Sequence, residues 1–359
     1  MSSPVAGLIS VPLVDARTGG PVPYAIEGQA RARALHDDCL NCLPRAARLL
    51  MPVMDDASRR WLRRSTSPYI PEIEAIARAL GLPGLWFLNG SYEWGCTALA
   101  RDEDGAPWIA RTLDWPFAGL GRRVEIARMR GEAGEFYNVT WPGYVGALTA
   151  MAPGRFAAGM NQAPLRRRTR LPWLRPADMA LNAVRTWRIH SVPPDHLLRN
   201  VFETAPNYVD ARRRLEQTPI ARPVIFILVG CEPGERCVIE RTEDDFITRT
   251  ENTSAANDWW QSTWPWEARV SSAVLLTRTY DEAAANSRLR RETLAGWTTP
   301  LCRAGFAWIA PPVLNPFTRI GVEMCPATGT LRVAGYEKEP DADLPSPVTQ
   351  LREIAVANA

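Results

Sequence analysis

The sequence predicts an α+β protein in which two β-sheets are covered by helices. Three observations carry this prediction: a hairpin pattern at 96–113, an uninterrupted apolar run at 224–230, and apolar residues at helical spacing before and between them. With 359 residues, 46% of them hydrophobic, the chain can bury one large core or two moderate ones.

Residues 1–95 are expected to be mainly helical after a first strand at 9–14. Apolar spacing predicts one or two helices over 28–54, and a further helix over 71–80 opens at a proline and ends at a glycine. A buried run at 85–89 then leads into the hairpin.

The hairpin places a thiol beside a guanidinium. A two-residue turn at Asp104-Gly105 puts Cys96 opposite Leu113, with Arg111 as its diagonal neighbour about 7–8 Å away on the same face. Asp114 has the opposite parity, so it joins them only if the strand bends. A nearby cation lowers a thiol pKa and favours the nucleophilic form, although a buried hairpin cysteine is more often a core residue.

The remaining elements follow from periodicity and from turn signals. Strands are expected at 122–130, 135–140, 144–151, 156–160, 224–230, 237–241, 246–250, 321–324 and 331–336, and helices at 175–190, 195–203, 209–217 and 271–296. The proline-rich tail after residue 340 is expected to be poorly ordered.

Composition excludes several kinds of function. A net charge of +3 is too small to indicate a nucleic-acid partner, and the basic run at 166–170 is interpreted as an exposed loop. The chain shows neither a secretory signal nor about 20 consecutive apolar residues, so we expect a cytoplasmic location and no integral membrane contact. Cys39 and Cys42 lack the further ligands of a zinc site, and we expect neither a metal nor a cofactor.

Separated motifs resemble one family of enzymes. Cys96-Thr97, the hairpin, and then Arg111-x-x-Asp114-Trp115 resemble the start of the mature catalytic chain in N-terminal-nucleophile (Ntn) cysteine amidases. These are the acid ceramidase and N-acylethanolamine acid amidase group, related to choloylglycine hydrolases and penicillin V acylases. The stretch 139–156 resembles the segment that precedes an Asn in acid-ceramidase-like enzymes, here Asn161.

The resemblance runs from about residue 82 to the end of the chain. It implies an αββα four-layer Ntn-hydrolase sandwich over 96–359, preceded by a helical pro-segment, 1–95, that stays associated after cleavage before the nucleophile. Histidine is scarce, with three residues that all lie outside the motifs, so a Cys-His dyad is poorly supported. The alternative base is the α-amino group of Cys96, whose ordinary pKa is about 7.7–8.0, freed by cleavage of the Gly95–Cys96 bond.

The resemblance also implies roles for other polar residues. Arg111 and Asp114 match the Arg-x-x-Asp pair of this family, which holds the nucleophile and its amine in place. Asn161 can supply an amide donor to the substrate or to an oxyanion, and Gln162 follows it where acid ceramidases usually have an acidic residue. Asn257 is the first candidate for the oxyanion hole.

Three further assignments complete the candidate site. Asn252 is the second candidate for the oxyanion hole, because the surrounding motif is one residue short. Arg288 is assigned as the catalytic-site arginine, while Arg290 and Arg291 are expected to be solvated. The tryptophans that could line an acyl pocket, or equally belong to the core, are Trp115, Trp141 and Trp173.

The leading interpretation is a self-processing cysteine amidohydrolase that cleaves a linear, N-acyl amide through a thioester on Cys96. An acyltransferase of the isopenicillin N acyltransferase type is the alternative, because that group shares a Gly-Cys-Thr start and 24–29 is similar to its N-terminal motif. A non-catalytic binding paralogue remains a third possibility. The substrate is expected to be a small molecule, and the oligomeric state is not predicted.

Overall fold

The structure is a computed structural model that describes residues 7–92, 94–168, 171–261, 265–268 and 279–356. Its helices are α1 (Pro21–Glu27), α2 (Gln29–Asn41), α3 (Arg45–Arg64), α4 (Ile70–Leu80), α5 (Leu85–Gly90), α6 (Arg175–Arg188), α7 (Pro194–Thr204), α8 (Tyr208–Gln217), α9 (Tyr280–Ala295) and α10 (Leu301–Ala304).

The strands are mostly short and antiparallel. They are β1 (Leu13–Asp15), β2 (Gly95–Glu103), β3 (Ala106–Asp114), β4 (Glu125–Gly131), β5 (Gly134–Thr140), β6 (Thr149–Ala152), β7 (Phe156–Gln162), β8 (Leu165–Arg166), β9 (Val224–Val229), β10 (Arg236–Arg241), β11 (Phe246–Arg249), β12 (Ser254–Ala255), β13 (Trp266–Glu267), β14 (Thr318–Cys325), β15 (Thr330–Glu337), β16 (Ser346–Pro347) and β17 (Arg352–Ala355).

Two sheets pack face to face. The first has the order β1-β4-β5-β6-β7-β9-β10-β11, and the second has the order β12-β2-β3-β14-β15-β16, with β17 also on β15. Strands β2 and β3 contact β7 and β9 across the interface. The main hydrophobic core fills this space, because both sheets turn fully buried apolar side chains toward each other.

Helices cover the outer faces. Helix α7 packs on β4, β5 and β6, and α8 packs on β9, β10 and β11, whereas α9 packs on β2 and β12 of the other sheet. The layers therefore run helix, sheet, sheet, helix. The predicted α+β class and the four-layer order are confirmed.

The predicted hairpin is present with the predicted register. Cys96 pairs with Leu113, and Arg111 pairs with Ala98, two positions along. The turn is made by Asp104 and Gly105, both with positive φ (49° and 81°), which is the backbone that a two-residue hairpin requires.

The N-terminal part is helical, as expected. The periodic region at 28–54 forms two helices, α2 and α3, and α3 continues to Arg64. Apolar side chains of α3, α4 and α5 form a second core cluster, which also includes Val145 and Ala221 from the region after Cys96. Among the described residues, no helix has both the length and the apolar character that crossing a bilayer requires.

Two expectations about elements are wrong. The described part of the tail, 341–356, is not poorly ordered, because β16 and β17 both pair with β15. The strand expected at 144–151 is limited to β6, because 144–148 forms a turn-rich connection. Of the helix expected at 271–296, the part at 271–278 lies outside the described residues.

Candidate active site

The thiol of Cys96 is fully buried between the two sheets. One guanidinium nitrogen of Arg111, Nη2, donates to Cys96 Sγ at 3.0 Å, and the thiol lies 3.7 Å from the Met160 carbonyl oxygen. Burial raises the pKa of the Cys96 thiol to about 11, although Arg111 and Arg290 act in the opposite direction. In the continuous chain the thiol is therefore protonated at neutral pH.

Arg111 is held rigidly by the opposite sheet. Its guanidinium donates to the hydroxyl of Thr149, to the carbonyl of Met160 and, at 3.4 Å, to Oδ1 of Asn161. The side chain passes so close to β7 that a Cβ at Gly159 would lie 2.7 Å from Arg111 Cδ. Since real Cβ atoms do not approach so closely, the path of this arginine requires a glycine.

Asn257 holds the backbone of the nucleophile. Its Oδ1 accepts from the Cys96 N–H at 3.0 Å, and its Nδ2 donates to the Gln162 carbonyl at 2.9 Å. The two partners fix the amide orientation, because one can only donate and the other can only accept. The donor of Asn257 is thus already occupied in the continuous chain. Asn252, the second candidate, lies in an exposed turn with a φ of 50°.

Asn161 connects Arg111 to the chain around Asn257. Its Nδ2 donates to the carbonyls of Ala255 and Ala256 at 3.3 and 3.1 Å. The structure therefore brings Asn161 to the thiol, but in a bracing position rather than with a donor directed at a substrate.

Asp114 lies on the other face of β2 and β3, as its parity requires. Its carboxylate accepts from Thr318 Oγ1 at 2.9 Å and from Asn315 Nδ2 at 2.7 Å, and it lies 3.4 Å from Arg290 Nη1. A register shift in β14 opposite the end of β3 accompanies this arrangement. A Cβ at Gly95 would lie 3.6 Å from Asp114 Oδ2, so the carboxylate lies against the residue that precedes the nucleophile.

The assignment of Arg288 is wrong. Arg288 is exposed on α9, whereas Arg290 is 6% exposed and donates to the Cys96 carbonyl at 2.8 Å and to Asn257 Oδ1 at 3.0 Å. Arg291 is also buried, and it pairs with Asp258 at 2.7 Å. Both were expected to be solvated.

The buried stripe of α9 explains this error. Ser287, Arg290, Arg291 and Leu294 are buried and follow the spacing i, i+3, i+4, i+7. Arg288 falls outside this stripe. The helical phase set by Leu294 could have identified Arg290 from the sequence.

The three histidines lie outside the site. Their side-chain partners are Asp37 for His36, Arg64 for His190 and, at 2.7 Å, Ser67 Oγ for His196.

The tryptophans expected at an acyl pocket are differently placed. Trp115 and Trp141 are fully buried and pack edge to face, with their ring centroids 5.7 Å apart. Trp115 also borders a small apolar cavity of about 70 Å³. Trp173 is 72% exposed and lines neither this cavity nor the larger one described next, so it does not fit either of its two predicted positions, an acyl pocket or the core. Trp94 packs on Trp115 at 5.3 Å, immediately before Gly95.

A larger cavity of about 390 Å³ lies between the N-terminal helices and α6. Its aromatic lining was not predicted and comprises Trp61, Phe87, Tyr92, Trp187, Trp266 and Tyr280. Cys96 is not part of this lining. The cavity reaches Tyr92, whose carbonyl accepts from the side-chain amide of Gln162. The chain therefore borders this cavity four residues before the candidate nucleophile.

The four-layer sandwich with a buried, arginine-bound cysteine at the start of a central strand is the combination that the resemblance to Ntn cysteine amidases implies. Comparison with known proteins confirms that resemblance. The chain is 27% identical over 208 residues to the N-acylethanolamine-hydrolyzing acid amidase of Oryctolagus cuniculus, covering 56% of this chain and 55% of that protein. It is 30% identical over 197 residues to the acid ceramidase of Bos taurus, covering 48% and 47%.

The chain spans about half the length of the curated relatives that it matches. A solved structure of a Caenorhabditis elegans N-acylethanolamine-hydrolyzing acid amidase ortholog covers 69% of this chain and 94% of its own, with a TM-score of 0.47 and 15% identity. No protein-family model matches the chain.

Proposed function

We propose that this protein is a self-processing cysteine amidohydrolase that cleaves linear N-acyl amides through a thioester on Cys96. One observation supports the proposal most strongly. Two side chains hold the two functional atoms of a single residue: Arg111 donates to Cys96 Sγ, and Asn257 accepts from the Cys96 N–H. An ordinary core cysteine needs neither contact.

The first step is cleavage of the chain before Cys96. Sγ attacks the Gly95 carbonyl carbon, the C–N bond breaks, and the Cys96 nitrogen takes a proton. Water then hydrolyses the resulting thioester and leaves a Gly95 carboxylate and a Cys96 amine. Asp114, which lies against Gly95, is the nearest carboxylate placed to accept or return a proton. This step divides the chain into the predicted parts 1–95 and 96–359.

The second reaction uses the freed amine. An α-amino group has an ordinary pKa of about 7.7–8.0, so it accepts the thiol proton near neutral pH. Asn257 Oδ1 then orients the amine, while Arg290 holds the Cys96 carbonyl. The thiolate attacks the substrate carbonyl, the amine product departs with the proton, and water releases the acid.

The aromatic cavity suits the acyl group of the substrate. Its volume of about 390 Å³ lies in the range of small-molecule sites, and its lining is mostly apolar. We propose that a shift of the chain at Tyr92 after cleavage connects this cavity, which Tyr92 lines, to Cys96. The relatives named for N-acylethanolamine hydrolysis, and those named acid ceramidase, support an N-acyl substrate.

Purified protein and a Cys96→Ala variant, each incubated with a panel of N-acyl amides, test the proposal. The wild type is expected to release free acid, and the variant is expected to be inactive. Amine acceptors added to the reaction separate a hydrolase from an acyltransferase by the product that accumulates. Equal turnover by the two proteins contradicts the proposal, and a wild type that binds but never turns over an amide supports the binding paralogue. The cytoplasmic location stays a prediction.

A further inference from the structure

Gln162, the last residue of β7, contacts two parts of the candidate site. Its side-chain Nε2 donates to the Tyr92 carbonyl, four residues before Cys96. Its main-chain carbonyl accepts from Asn257 Nδ2 at 2.9 Å, and Asn257 Oδ1 in turn accepts from the Cys96 N–H at 3.0 Å. The side chain is almost fully buried, with the residue 5% exposed.

The partner of this side chain fixes its chemistry. A backbone carbonyl can only accept, so the atom that faces Tyr92 must be the NH₂ group. An amide donates at every pH between 4 and 9. A carboxyl group at the same position could donate only while protonated, and its ionised form would direct negative charge at the Tyr92 carbonyl.

We propose that Gln162 is a positioning residue for cleavage of the Gly95–Cys96 bond and that its amide makes this positioning independent of pH. The side chain holds the chain that precedes the scissile bond, while the main-chain carbonyl of the same residue holds Asn257, which accepts from the Cys96 N–H. The residues on both sides of the Gly95–Cys96 bond are thus positioned by the same end of β7. This inference rests on the proposed self-cleavage.

The groups around Gln162 are consistent with hydrogen bonds whose strength does not change with pH. Among the described residues, the two partners of Gln162 lead to the Tyr92 phenol, whose hydroxyl donates to the Pro223 carbonyl, and through Asn257 to Cys96. Arg222 lies over the Tyr92 ring at 5.4 Å. The charged groups near Cys96 are Arg111, Asp114 and Arg290.

Two substitutions by side chains of similar size test the need for a donor at this position and the independence of that donor from pH. Gln162→Met removes the donor at every pH. Gln162→Glu restores a donor only in acid, because burial raises the pKa of the introduced carboxyl above its ordinary value of about 4.3. Gln350→Glu, at an exposed position, controls for the added charge.

The rate of cleavage is measured on chains made in a cell-free translation reaction and exchanged into buffers from pH 5 to pH 8, each rate being divided by that of the wild type at the same pH. We expect Gln162→Met to be slower than the wild type by about tenfold throughout, since a buried carbonyl loses its donor. We expect the relative rate of Gln162→Glu to fall about tenfold from pH 5 to pH 8, and that of Gln350→Glu to stay constant.

The outcomes are distinguishable. A Gln162→Met chain that is cut as fast as the wild type, or a relative rate of Gln162→Glu that does not change with pH, overturns the inference and leaves the proposed function intact. A wild-type chain that is never cut overturns both. Melting temperatures of Cys96→Ala chains that carry each substitution show whether the variants fold, and an unfolded Gln162→Met chain leaves the pH profile of Gln162→Glu to decide.

Discussion

Cys96 lies between two arginines that reach it from opposite faces of β2. Arg111 contacts the sulfur on the inner face, and Arg290 contacts the carbonyl from the helix side. The inner contact could be predicted, because a two-residue turn fixes the register of every pair in a hairpin. The outer contact could not be read from local motif similarity, which placed the arginine two residues early and missed the phase of α9.

At the scale of single residues, Arg290 and Arg288 offer a matched comparison on one helix. Arg290→Gln removes donors from the Cys96 carbonyl and Asn257 and leaves buried acceptors unpaired, so amidase activity is expected to fall at least about 100-fold. Arg288→Gln, at an exposed position, is expected to stay within about twofold of wild type. Steady-state kinetics on the best substrate of the panel measure both, and equal losses would contradict the placement of Arg290.

At the scale of elements, the close approach of β7 to β3 is the feature most sensitive to change. Gly159→Ala places a methyl group 2.7 Å from Arg111 Cδ, so the guanidinium must move away from the thiol. We expect cleavage before Cys96 to slow at least about tenfold, because a displacement of about 1 Å at a site can cost two orders of magnitude. Gly296→Ala, where a Cβ meets only ordinary contacts of 3.4 Å or more, is the control.

Element boundaries show which information the sequence carries. The apolar run of β9 and the turn of the β2–β3 hairpin are local signals, and both elements were predicted. Strands β16 and β17 are short and lack local periodicity, because they form only by pairing with β15. The contacts of Gln162 and Asn161 likewise join segments far apart in the chain, so no window of sequence could reveal them.

At the scale of the whole molecule, many polar contacts join the predicted pro-segment to the rest, and one group of them surrounds Arg199. Arg199 on α7 pairs with Glu72 and Glu203, and its guanidinium lies 3.9 Å from the Tyr69 ring centroid. Tyr69 in turn donates to Glu203 at 2.5 Å. We therefore predict that residues 1–95 stay bound after cleavage.

Arg199→Met tests that association. It leaves Glu72 and Glu203 without their cation at an interface where Arg199 itself is buried, which costs on the order of 3 kcal/mol. The two fragments are expected to separate at a lower urea concentration in native size-exclusion chromatography. Arg213→Met, which removes an exposed helical ion pair, is expected to have no measurable effect.

A second contact makes the stability of the whole molecule depend on pH. Burial raises the pKa of Glu125 to about 7, although its ion pair with Arg31 of α2 opposes the shift. The unfolded chain loses this proton near pH 4.5, whereas the folded chain keeps it to about pH 7. Stability from this group is thus present below pH 4.5 and is lost as the pH rises to 7.

Urea unfolding of Cys96→Ala chains with and without Glu125→Gln measures this effect. Relative to the Gln variant, the free energy of unfolding is expected to fall by on the order of 3 kcal/mol between pH 4.5 and pH 7. Parallel curves for the two proteins over this range would contradict the assignment of Glu125.

The central claim is that Cys96 becomes the first residue of a chain, and intact-mass spectrometry of the purified protein tests it most directly. The account predicts two components whose masses match residues 1–95 and 96–359, and a single full-length component for Cys96→Ala. A wild-type protein that hydrolyses amides as one uncut chain, or a Cys96→Ala chain cut at the same bond, would contradict it.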